Sequence, residues 1–235
     1  MVTNRLQSEV ALNPAFLAIQ NGLIVSCQAS DGTPMDTPEF ITAQARTVES
    51  AGAKAIRAQG IENVSSIVRA VKVPVIGLVK SYTPDSDVYI TPTVEDVLAL
   101  VAAGADIVAV DATQRSRQKG VTLESFYAEV RKHTAVPLLA DIDSLENALY
   151  AQSLGFDAVA TTLNGYTPSP STGLPNVDLV KSITAQVNIP VIAEGGYTTP
   201  EQVHQAIENG AWAVCVGTAI TNPYLMAKYF IKEGF

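Results

Sequence analysis

The chain has 235 residues, 47% hydrophobic and 16% charged, with a formal net charge of −8. That length and apolar content suit one sizeable core and a single domain over residues 1–235, and the acidic balance leaves no basic stripe for nucleic acid. No apolar run approaches the ~18 residues of a membrane span, no signal-peptide core opens the chain, and Cys27 and Cys215 suggest no disulfide framework, so a reducing cytoplasm is expected.

Residues 3–20 read as a leading helix, and the apolar run GLIVSC at 22–27 reads as a first strand. Two patterns then alternate. One is small-Gly-x-x-apolar: AGAKAI at 51–56, AGADIV at 103–108, LGFDAV at 154–159 and NGAWAV at 209–214. Its glycines, Gly52, Gly104, Gly155 and Gly210, recur every 51 to 55 residues, where a helix C-cap favours glycine. The other is apolar-Pro-apolar, VPVIGLVK at 73–80, VPLLAD at 136–141 and IPVIAE at 189–194, which falls between the first set. Apolar residues at three- and four-residue spacing predict helices over 38–50, 63–70, 93–103, 123–133, 145–154, 177–186 and 200–209, with a last helix from Asn222 onward. Eight strand signals alternating with helices predict an α/β fold, a (β/α)8 TIM barrel whose N-terminal helix closes the floor. A doubly wound open sheet is the alternative.

Side chains alternate across a strand, so each run also carries a phase. Ile24, Ser26 and Gln28 share one face, as do Ile76, Leu78 and Lys80, then Leu139 and Asp141, then Ile192 and Glu194. The same parity counted from the glycines yields Arg57, Asp111, Thr162 and Gly217. Each strand is thus apolar until its last inward position. Polar groups gathered at the C-terminal ends of barrel strands are where such folds carry chemistry.

Among these, Lys80 is a candidate general base, and burial beside Arg57 would favour its neutral form. Glu194 is its candidate counterpart across the mouth; a plain Lys80–Glu194 ion pair is the bland alternative. Arg57 offers a bidentate grip on a carboxylate, phosphate or developing oxyanion. Gln28 and Asp141 are candidates to orient hydroxyl or amide groups, whereas Asp111 and Thr162 read equally well as loop anchors. Gly195-Gly196 before the helix start Thr199-Pro200, and Gly217-Thr218 before Asn222-Pro223, form two halves of an expected phosphate cradle. The only histidines, His133 and His204, fall in helices, so no metal or other cofactor is expected. Two long connections, 111–120 and 161–176, are candidate lids.

With these residues in view, the chain closely resembles the N-acetylmannosamine-6-phosphate 2-epimerases, the NanE family. GLIVSCQA, AIRAQG, VYITPT, LLADI, TTLNGYT, GLPNVDLV, VIAEGGY and VGTAIT carry the likeness along almost the whole chain. The resemblance implies interconversion of N-acetylmannosamine 6-phosphate and N-acetylglucosamine 6-phosphate in amino-sugar or sialic acid catabolism. It implies Lys80 as base, Glu194 as catalytic carboxylate, and Gln28, Arg57 and Asp141 around a phosphorylated amino sugar. A homodimer is the expected assembly. Departures from the family pattern fall at Ser81, at Asn164, and after Arg117, where a proline is expected. Another phosphate-binding isomerase on the same barrel, such as a pentose-phosphate 3-epimerase, a Schiff-base aldolase and a non-catalytic sugar-phosphate binder are the competing readings.

Overall fold

The computed structural model describes residues 12–234. Eight parallel strands close into a barrel in sequence order: β1 (Gly22–Cys27), β2 (Ala55–Gln59), β3 (Val75–Leu78), β4 (Ile107–Asp111), β5 (Leu138–Asp141), β6 (Ala158–Ala160), β7 (Val191–Glu194) and β8 (Ala213–Val216). Before them lies α1 (Pro14–Ala18); between and after them run α2 (Pro38–Ser50), α3 (Ile61–Val68), α4 (Val94–Ala102), α5 (Leu123–His133), α6 (Leu145–Leu154), α7 (Val177–Thr184), α8 (Pro200–Glu208), α9 (Thr218–Thr221) and α10 (Pro223–Gly234). The TIM barrel expected from the alternation is the fold. The open-sheet alternative fails because β1 pairs with β8, Leu23 beside Val214.

Local chemistry explains the boundaries. Hydroxyls of Thr37, Thr93, Thr122, Ser144 and Thr199 accept a helix N–H at their N-caps, so each start is written one residue ahead. The four repeating glycines all have positive φ, +105° at Gly52, +93° at Gly104, +98° at Gly155 and +92° at Gly210, which only glycine adopts without strain. Helices over 38–50, 123–133 and 145–154 match their patterns residue for residue. The third helix starts two residues before its pattern, because Gly60 (φ +91°) turns the chain and Asn63 Nδ2 reaches back to Gln59 O at 2.8 Å. Helix α7 stops at Thr184, whose hydroxyl turns to Asn209 O at 2.8 Å. The four-residue α9 is too short to show a period and was not foreseen.

The core forms two shells. Outward residues such as Val25, Ile56, Val108 and Leu138 pack beneath the helices. Inward ones, among them Ile24, Ile76, Leu78, Leu139 and Ile192, fill the barrel, as the strand phase predicts. Cys27 belongs to the first shell and Cys215 to the second, both as free thiols. Of the leading helix expected over 3–20, residues 3–11 lie outside those described; Pro14–Ala18 is helical. Its Phe16 joins the inward shell, and Trp212 Nε1 donates to Phe16 O at 2.7 Å. The floor is therefore closed as expected. Phe16→Ala is expected to cost about 3–5 kcal/mol, a large aromatic cavity. Thermal unfolding checks it; an unmoved midpoint would refute the packing role.

Candidate active site

Arg57, from β2, is buried at the C-terminal mouth, only 1% exposed. Its fork meets Asp141 of β5, with Nη1 to Oδ1 at 3.1 Å and Nη2 to Oδ2 at 2.6 Å. Nη1 also lies 3.3 Å from Glu194 Oε2 on β7. Thr162, on the turn after β6, donates its single hydroxyl hydrogen between two carboxylate oxygens, Asp141 Oδ1 at 2.8 Å and Glu194 Oε2 at 3.0 Å. Four residues, from β2, β5, β7 and the turn after β6, thus form one network. The bidentate grip expected of Arg57 is taken up by Asp141, leaving its charge rather than its fork to act on a ligand.

Electrostatics follow from this crowding. Burial works against the Arg57 cation, but Asp141 and Glu194 outweigh it and hold the guanidinium above its ordinary value. Burial raises Glu194, Arg57 pulls it down, Asp141 raises it again and the Thr162 hydroxyl lowers it; the net direction is up. Cys215 of β8 stands in register beside Glu194, and its thiol is raised first by burial and then by that carboxylate.

Lys80 stands just beyond β3, tied by a bridge to Ile90. Its Nζ donates to Gln28 Oε1 at 3.0 Å, and Gln28 Nε2 donates to Ser26 Oγ at 2.8 Å. Lys80 has no ion-pair partner among the described residues, so the plain Lys80–Glu194 pair is absent. Crowding of the ammonium and the like charge of Arg57 lower it from the ordinary lysine value, against the pull of Asp31, Glu194 and Asp141. Its side chain still reaches solvent, so the burial part of that effect is modest until a ligand covers the mouth.

The glycine turns lie across the same mouth. Gly195 (φ +111°) and Gly196 (φ +73°) follow β7. A Cβ on Gly196 would come within 2.4 Å of Leu174 Cβ, so glycine is required where the 161–176 connection crosses. Gly217 approaches β1, its notional Cβ 3.2 Å from Ser26 Cβ. The backbone N–H groups of Gly195, Gly196, Gly217 and Thr218 meet no acceptor among the described residues.

Both candidate lids are anchored by aspartates. Asp111 accepts from Thr113 Oγ1 at 2.7 Å and Arg115 Nη2 at 2.6 Å, and its carbonyl accepts from Arg117, so it holds the 111–120 connection. Asp143 accepts from Thr167 at 2.7 Å, Ser169 at 2.8 Å and Asn147 at 2.7 Å, pinning the start of 161–176. Burial of Asp143 is outweighed by these donors, which hold its carboxyl below the usual range. Sequence reasoning gave no role to Asp143 or Cys215, and placed Ser26 on the inward face without giving it one. The inward parity of Ser26 and Cys215 was a usable signal; Asp143 had none.

Comparison with known proteins decides the family. The NanE family model, described as putative N-acetylmannosamine-6-phosphate epimerase, matches residues 41–234. The chain belongs to the NanE family. A relative from Caldanaerobacter subterraneus subsp. tengcongensis, named putative N-acetylmannosamine-6-phosphate 2-epimerase, is 44% identical over 91% of each chain. One of the same name from Klebsiella pneumoniae is 48% identical over 85% of this chain and 84% of its own. The solved N-acetylmannosamine-6-phosphate 2-epimerase of Clostridium perfringens superposes with a TM-score of 0.89 at 35% identity, covering 96% of this chain and 99% of that one. A thiamine phosphate pyrophosphorylase from Pyrococcus furiosus, 18% identical at a TM-score of 0.57, shares only the barrel.

In this NanE-family member, the positions where departures from the family pattern are expected are accommodated by the structure. Asn164 is 2% exposed; its Nδ2 donates to Asp143 O at 2.7 Å and its Oδ1 accepts from Asn176 at 3.0 Å and Ser171 at 2.9 Å. The amide therefore ties both ends of the 161–176 connection. In the loop after Arg117, where a proline is expected, Gln118 opens a one-turn 3-10 helix, Gln118–Gly120. Ser81 donates its N–H to Tyr89 O at 2.9 Å and leaves the Lys80 side chain unobstructed.

Proposed function

We propose that this protein interconverts N-acetylmannosamine 6-phosphate and N-acetylglucosamine 6-phosphate by proton transfer at C2 of the open-chain sugar. The observation that carries this reading is the Lys80 ammonium in one mouth with the Arg57–Asp141–Glu194 network, in a member of the NanE family. Inverting C2 requires a base on one face of the carbon and an acid on the other. Lys80 and Glu194 are the proposed pair. Arg57 acts at one remove: it orients Asp141 and Glu194, keeps Lys80 below its ordinary range, and its charge stabilises the enediolate. Gln28 and Asp141 orient the sugar, and the backbone N–H groups of Gly195, Gly196, Gly217 and Thr218 receive the 6-phosphate. A coupled assay supplying N-acetylmannosamine 6-phosphate tests the reading; purified, folded protein that leaves the sugar unchanged would refute it.

The pair must hold one proton in total, whichever member serves which face. At low pH Glu194 gains a second proton; at high pH Lys80 loses the last. Activity is therefore expected to be bell-shaped, with an acid limb above 4.5, the ordinary glutamate value, and an alkaline limb below 10.5, the ordinary lysine value. Thr162→Val removes a hydrogen bond that lowers Glu194, so its acid limb is expected to move to higher pH, with Thr162→Ser restoring it. A pH–rate profile of kcat reads the shift, and an unmoved limb would remove Thr162 from the network.

Stable dimerisation and cytoplasmic residence accompany this proposal. The described residues contain no helix long and apolar enough to cross a membrane.

A further inference from the structure

The ladder that carries Lys80 stops before Lys80 is reached. On one side β3 pairs with β2 as far as Leu78, and on the other with β4 only as far as Gly77, opposite Val108. Val79 and Lys80 project past both. The chain then returns antiparallel into the space left open, with Ile90 pairing with Lys80. Ile90 O also accepts from Asp111 N at 2.9 Å, so the returning segment is held between the ends of β3 and β4. Thr91 N to Val79 O at 2.8 Å and Ser81 N to Tyr89 O at 2.9 Å flank the Lys80–Ile90 pair, which is itself not hydrogen-bonded. Side chains stand closest in such pairs, and Ile90, 2% exposed and part of the inward shell, gives the stem of Lys80 an apolar neighbour.

Thr91 holds both backbone groups of Val79. Besides giving its N–H to Val79 O, it accepts Val79 N at its own Oγ1, 3.2 Å away. It does so from a conformation that its residue type avoids. Thr91 is fully buried with φ +46°, and of the non-glycine residues with positive φ among those described, it alone is β-branched. Such a residue in the left-handed region is strained, and the strain persists only where surrounding contacts over-determine it. Glycine would take this φ freely but has no hydroxyl to offer Val79.

We propose that Thr91 is the positioning residue of Lys80: its hydroxyl and N–H clamp Val79, the residue before the lysine, and so fix where the ammonium stands in the mouth. The role rests on the reading of Lys80 as one member of the proton-transfer pair.

Three variants separate the clamp from the turn. Thr91→Val removes the acceptor and keeps the shape, Thr91→Gly removes it and suits the φ, and Thr91→Ser keeps it. The first two are expected to lower kcat about tenfold with KM unchanged, and the third to restore it, because a displaced catalytic group loses rate rather than substrate affinity. A second readout needs no turnover. The Lys80 Cε resonance, assigned by its loss in Lys80→Ala, follows the ammonium through its titration in the intact protein. Burial and Arg57 of β2 lower Lys80, against the pull of Asp31 after β1, Glu194 of β7 and Asp141 of β5, so a lysine freed from this setting titrates closer to 10.5. Thr91→Val and Thr91→Gly are therefore expected to raise the midpoint and Thr91→Ser to return it. Raised midpoints support the clamp even if wild-type protein leaves the sugar unchanged, an outcome that refutes the epimerase reading alone. Thr91→Gly with either the wild-type kcat or the wild-type Lys80 midpoint would overturn the clamp and leave Thr91 a turn residue; this variant decides the matter if Thr91→Val does not fold.

Discussion

Lys80→Ala is expected to lower kcat for 2-epimerisation by about 10³-fold, within the 10²–10⁴ range of positioned acid–base groups. The lysine stands at the mouth with a single side-chain bond, to Gln28, so its loss leaves the barrel core untouched and the thermal midpoint nearly unchanged. KM should change little, since the proposed phosphate contacts lie on the far turns. Lys80→Arg is expected to fail equally, because a guanidinium does not give up its proton in the working range. Steady-state kinetics beside thermal unfolding checks both parts. A variant retaining wild-type kcat would remove Lys80 from the chemistry.

Arg57→Met should damage both stability and activity. The guanidinium is buried against Asp141 and Glu194, and removing one partner of a buried ion pair costs about 3–5 kcal/mol. The pH dependence has a definite sign. Arg57 is the largest influence lowering Glu194, so its loss raises the folded-state Glu194 further above the unfolded value. A group raised in the folded state favours folding below its unfolded pKa and loses that contribution as pH rises through the folded pKa. The deficit of Arg57→Met is therefore expected to be smaller in mild acid than at neutral pH. Denaturant midpoints at two pH values measure it; a constant deficit would mean that Glu194 does not depend on Arg57.

Much of this arrangement was legible because its determinants are local. Side-chain alternation placed Ile76, Leu78 and Lys80 on one face before any partner strand was known, and a capping threonine or a C-cap glycine marks a helix end within a residue or two. The Arg57–Asp141 fork was not legible. It joins residues 84 apart and forms only once β2 and β5 face one another across a closed barrel. Arg57 therefore read as a ligand grip rather than an internal one. Thr162 sits on a 3-10 turn instead of a strand, so parity could nominate it but not say that it bridges two carboxylates. Asp143 lies two residues past Asp141 in a segment with no period, and beyond its neighbour Asn147 its partners arrive from a connection more than twenty residues on, such as Thr167, 24 residues away. Arg117 was visible only as one charge in a basic loop; its burial depends on Phe126 rising from α5 beneath it.

The most direct test is epimerisation in D₂O, with the product analysed by NMR at C2. Proton exchange between Lys80, Glu194 and the carbon predicts one deuterium incorporated per inverted centre, and no incorporation by Lys80→Ala. Product inverted at C2 yet carrying only protium there would contradict it.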